Sequence, residues 1–168
     1  MRLGPSLRAI VVVFLLVAGC SDLEQPAATE THEWTLDQRS WNMGTFAVMA
    51  ELVDYGVKRL ALSAALPPEE MDLVVDDAFE IAAGHSVGVY RETNFLVTDL
   101  FSAELTDGKH VLFLSHASTL LAYQGLKTEK EHLVQQGQYE GAARTDIARR
   151  FGKLLSYPDS TIEKMLSR

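Results

Sequence analysis

The sequence predicts an α/β domain with a small sheet, a β-α-β unit near its middle and a helix-rich C-terminal third. Three observations carry that prediction. Two short apolar-alternating stretches, residues 57–63 and 87–91, bracket a stretch of helical period; the chain from Ser118 onward is helical in pattern; and 168 residues, 47% apolar and 23% charged, suffice for one hydrophobic core.

The elements follow in order. Ser40 can cap a first helix in which Met43, Phe46, Met49, Ala50 and Val53 share an apolar face, opposite a narrow polar stripe of Glu51, Asp54 and Lys58. Gly56 suits its stop, and residues 57–63 alternate as a strand. Pro67-Pro68-Glu69-Glu70 opens a second helix, with proline preset for the first turn and carboxylates at the positive end of the dipole. It runs to about Ala83, burying Met71, Val74, Val75, Ala78 and Ala82 and exposing Glu69, Asp72, Asp76 and Glu80. Gly84 ends it and residues 87–91 form the next strand, so the two strands of this crossover should be parallel.

Residues 95–105 read either as a strand in a hairpin through Thr106-Asp107-Gly108 or as a short helix before an isolated strand; residues 110–114 are a strand on both readings. Helices then run from Ser118 to about Gln136, from Tyr139 to Leu155 and from Ser160 to Leu166, broken near Gly137 and at Tyr157-Pro158.

Fifteen basic residues stand against 23 acidic ones, a net charge of −8, which argues against nucleic acid as a partner because binding phosphates needs clustered cations. The single cysteine excludes an intramolecular disulfide framework and a cysteine-based zinc site.

The first 19 residues have the layout of a secretory signal: a basic start at Arg2 and Arg8, an apolar run over residues 9–17, then small residues. The run is short for a membrane span. It ends in Val17-Ala18-Gly19-Cys20, which resembles the lipobox of bacterial lipoproteins. The resemblance implies cleavage before Cys20, acylation of that cysteine and attachment to a membrane through the lipid. Ser21 resembles the sorting signal for the outer membrane, which in a Gram-negative organism implies a domain facing the periplasm. On this reading residues 1–19 are the signal, 20–39 the lipidated N-terminus and a polar, Pro-containing tether, and 40–168 the α/β domain. Cleavage takes two of the 15 basic side chains away, so 13 face 23 acidic ones and the net charge falls to −10. A lipidated cysteine is also unavailable for thiol chemistry.

Gly84-His85-Ser86-Val87-Gly88 satisfies G-x-S-x-G and resembles the nucleophile elbow of lipases and esterases. That chemistry needs the serine on a turn leaving a strand and entering a helix; here a helix precedes Ser86 and a strand follows, so Gly84 as a helix stop is the reading the order favours. Five histidines raise a metal site, but His110 and His116 in one strand would lie about 20 Å apart at ~3.3 Å per residue, too far to share an ion, and no H-E-x-x-H exists. Neither a metal nor a cofactor is expected.

In open α/β sheets ligands bind beyond the carboxyl ends of parallel strands, which points to Glu92 and, if the third strand is parallel, to His116 as an acid/base pair. The plainer reading pairs Glu92 with Arg91 or a lysine and leaves His116 to start a helix. Arg149, Arg150 and Lys153 form a basic edge for anionic headgroups or an acidic partner, unless they pair with the acidic second helix or are solvated. Residues 150–158 resemble a G-x-L-L-G-Y-P signature of uncharacterised bacterial proteins, departing at Ser156, and carry no implied activity.

The expected function is an envelope lipoprotein whose domain binds an envelope protein or a small ligand. The alternative is a small hydrolase or acid/base enzyme using Glu92 and His116, or Ser86.

Overall fold

The computed structural model describes residues 37–167. The signal segment, Cys20 and most of the tether lie outside the described residues.

Asp37 opens the structure as a helix cap. Its carboxylate accepts from the backbone N–H groups of Arg39 and Ser40 and from the Ser40 hydroxyl, so α1 (Gln38–Asp54) begins before Ser40, which had been expected as the cap. These hydrogen bonds, led by that from the Ser40 hydroxyl, hold the Asp37 carboxyl below its usual range. Gly56, at φ +71°, turns the chain out of α1 into β1 (Leu60–Leu62), a strand shorter than the alternation suggested.

The expected second helix is two. After α2 (Pro68–Asp72), Leu73 and Val74 donate to carbonyls three residues back, a 3-10 turn, before α3 (Val75–Ala83) resumes. Three residues per turn eclipse positions i and i+3, so the tightening brings Met71 and Val74 into the same core while Leu73 is left in solvent.

β2 (Gly88–Glu92) and β3 (Val111–Ser115) complete a three-stranded sheet of order β1-β3-β2. Leu62 pairs with Phe113 on one side and Tyr90 with Phe113 on the other, both antiparallel. β1 and β2 therefore run the same way, as a β-α-β unit requires, but β3 is inserted between them and runs against both. Residues 95–105 form no hairpin strand; they make an isolated Thr98–Phe101 bridge and a 3-10 turn at Ala103–Leu105.

Helices α4 (Ala117–Gln135), α5 (Gly141–Leu154) and α6 (Asp159–Leu166) fill the C-terminal third. Ser156 joins α5 to α6 at φ +63°, the left-handed region, in the position where the resembled signature carries glycine. Its hydroxyl accepts from the Arg59 backbone N–H at 2.8 Å, which ties this corner to the approach to β1.

Two cores lie on opposite faces of the sheet. Leu112 and Leu114 point into one with Phe46, Ala50 and Val53 of α1 and Met71, Val74 and Ala78 of α2 and α3. Val111 and Phe113 point into the other with Tyr123, Leu126, Ile147 and Phe151, where Phe95, Phe113, Tyr123 and Phe151 meet edge-on or tilted at 4.7–6.0 Å. A smaller cluster of Leu100, Ala148 and Ile162 seats α6.

Phe113 is fully buried at the centre of the aromatic core. Phe113→Ala is expected to cost about 3–5 kcal/mol, read as a lowered urea midpoint with unchanged slope.

Candidate functional site

A groove of about 860 Å³ runs between the first turns of α1 and the α2–α3 corner. Leu66, Leu73 and Val74 supply its apolar surface, and Gln38, Arg39, Asn42, Glu70 and Asp72 its polar one. Its size and its mix of an apolar lining with a few polar groups suit a ligand site.

Two arginines brace this groove. Arg39 reaches from α1 to α3 and donates from Nε and a terminal nitrogen to both oxygens of Asp77, at 2.6 and 2.7 Å. Asp77 is buried against it, and the guanidinium hydrogen bonds hold its carboxyl below the ordinary range while Asp77 raises Arg39. Arg91, on β2, donates to Asp72 at 2.5 Å, to the Pro68 carbonyl at 3.1 Å and from Nε to Nδ1 of His110 at 3.0 Å. His110 Nδ1 thus acts as an acceptor, which places the proton of a neutral ring on Nε2. The Leu66–His110 backbone bridge fixes the groove lining to the same cluster.

Glu92 does not meet His116. The register pairs Glu92 with Val111 and Gly88 with Ser115, so Glu92 and His116, one residue past Ser115, sit at opposite ends of the β2–β3 pair, about 17 Å apart along the strand at ~3.3 Å per residue. The antiparallel course of β3 is the reason. Glu92 is 2% exposed; its Oε1 accepts from Lys127 Nζ at 2.9 Å and from the Asn94 N–H at 2.7 Å, and its Oε2 is buried without a hydrogen-bond partner. Beside it the Tyr123 hydroxyl accepts from the Leu96 N–H at 3.0 Å, and burial, then the charge of Glu92, push its pKa well above the usual tyrosine value. A hollow of about 320 Å³ nearby is lined by Asn94, Lys127 and Lys130. Lys130 donates to the Val97 carbonyl and lies 5.2 Å from the Tyr139 ring centre; burial, then Arg144, lower its pKa.

His116 is exposed at the cap of α4. Ser86 is exposed between α3 and β2, and its backbone N–H donates to Asp54, whose other oxygen lies 3.4 Å from His85 Nδ1. No hydrogen bond joins the Ser86 hydroxyl to His85 among the described residues, and the turn enters a strand, not a helix.

The basic edge is neutralised from within. Arg149 pairs with Glu163 at 2.6 Å, Arg150 with Glu129 at 2.7 Å and Asp146 at 3.2 Å, and Lys153 with Asp159. These partners lie on α4, α5 and α6, not on the acidic α2–α3 segment across the sheet. Among the described residues no three His, Cys, Asp or Glu side chains are grouped to hold a metal ion.

The sequence reading missed the groove, because Arg39, Leu66 and Asp72 converge only through tertiary contacts. The apolar Leu73, placed among acidic residues, was its one local signal. Comparison with family models, with curated proteins and with solved structures finds no match.

Lys127→Met, which strands the buried Glu92 carboxylate, is expected to cost about 3–5 kcal/mol, whereas the Glu92→Leu/Lys127→Met double variant recovers most of it in a denaturant cycle. The pH limits of stability follow from Asp77 and Tyr123. Asp77 binds its proton more weakly in the native state, so its contribution is present above pH about 4 and lost as pH falls through the native value. Tyr123 holds its proton more strongly, so its contribution is present below pH about 10 and lost as pH rises beyond it. Asp77→Asn should flatten the acid limb of a stability-against-pH curve and Tyr123→Phe the alkaline limb.

Proposed function

We propose that this chain is a lipid-anchored binding module of the bacterial cell envelope, with the α1/α2 groove as its ligand or protein site. The groove carries the reading: about 860 Å³ of apolar-lined space in which two of the three charged groups, Arg39 and Asp72, are paired with Asp77 and Arg91. Its occupant has an apolar body, set against Leu66, Leu73 and Val74, and a cationic or hydrogen-bond-donating end for Glu70 and Asp72. The anchor rests on the Val17-Ala18-Gly19-Cys20 lipobox, with the outer membrane and its periplasmic face as the destination suggested by Ser21.

The site is tested by placing a photo-crosslinking amino acid at Asn42 in the full chain expressed in a bacterial envelope. Covalent capture of a partner that is lost in Leu73→Glu supports the module. Turnover by the purified protein that is abolished by His116→Ala or Ser86→Ala, with no capture at Asn42, would reject it in favour of an enzyme. Radiolabelled palmitate is expected in the wild type and absent from Cys20→Ala; label in the variant overturns the anchor.

A further inference from the structure

α1 is apolar on two faces. Phe46, Ala50 and Val53 are buried against the sheet and α3, yet Trp41 and Val48 on the other side, and Tyr55 at the C-terminal cap, are 57%, 55% and 76% exposed. These three residues are spaced by seven, so each returns to within about 20° of the last and together they form one stripe about 21 Å long. Between them lie Gly44, Thr45 and Leu52, which are uncharged. Two of the charged residues of the helix turn away from the stripe, Arg39 to Asp77 and Asp54 to His85 and Ser86, while the exposed Glu51 flanks it between Val48 and Tyr55. Gly44, with open space where a Cβ would stand, leaves a shallow hollow of about 420 Å³ between Trp41, Val48 and Met49.

We infer that this stripe lies on the phospholipid surface to which the chain is tethered, with Trp41, Val48 and Tyr55 entering the boundary between headgroups and acyl chains. The inference rests on the Cys20 anchor. The chain enters the structure at Asp37, the cap of α1 itself, 17 residues beyond Cys20, so the stripe starts within about 60 Å of the acyl group in any conformation. Tethering makes contact with that surface an intramolecular event, which favours it over a freely diffusing occupant. A tryptophan and a tyrosine at the two ends, each with an apolar body and a polar handle, match the chemistry of a membrane boundary.

The full acylated chain, carrying Trp34→Phe so that Trp41 is the sole tryptophan, is reconstituted into neutral phospholipid vesicles with brominated acyl chains. Trp41 emission should shift to the blue and fall by about two-fold or more, and Val48→Asp should remove both effects at an unchanged urea midpoint. Mass spectrometry of the same sample reads acylation of Cys20. An acylated chain with unquenched Trp41 overturns the stripe alone; a chain without acyl group overturns the anchor and, with it, this inference. Disulfide pairing of two Val48→Cys chains together with unquenched Trp41 would assign the stripe to a second copy instead.

Discussion

Every position of β3 is buried, and the rest of the fold is arranged around that fact. A strand reading Val-Leu-Phe-Leu-Ser has no face to give to water, so it needs a strand on each side and a helical layer above and below. β1 and β2 take the two edges, α1 with α2 and α3 cover Leu112 and Leu114, and α4 with α5 cover Val111 and Phe113. The antiparallel pairing on both sides also decides the chemistry. It sends Glu92 and Ser115 to opposite ends of the sheet, so the one acid/base pair that a parallel sheet would have offered does not form.

Much of this was legible locally. The helices of the C-terminal third start and stop within a residue or two of their expected positions, because Gly137 and Pro158 interrupt strong helical patterns there. Met71, Val74, Ala78 and Ala82 are buried as their spacing indicates, although the helix carrying them is broken by a 3-10 turn that period alone does not reveal. Strand direction was not legible from connection length. The unbroken apolar run at Val111–Leu114 held the relevant signal, since a strand without alternation is buried on both faces and belongs in the middle.

The site was less legible than the fold, for a physical reason. Arg39 and Asp77 are 38 residues apart, and Arg91 meets Asp72 and His110 across 19 in each direction. Nothing in a linear pattern announces such pairings. Arg149, Arg150 and Lys153, read as a basic edge unless paired with the acidic second helix or solvated, are paired instead with Glu163, Glu129 and Asp159, on helices the linear pattern did not single out. Glu92 is buried and paired with Lys127, the kind of lysine pairing that the plainer reading allowed, but its burial and its unpartnered Oε2 have no local signature. α1 then stands out as the element with work left over, since one face is spent on the core while its first turns border the groove and its outer face remains apolar.

The most direct test of that account is amide hydrogen exchange on the full chain in its native membranes, compared with the purified protein. The account predicts added protection confined to α1 and to residues 66–74, with β3 and α4 to α6 unchanged. Protection appearing instead around His116 and the start of α4, or none at all, would contradict it.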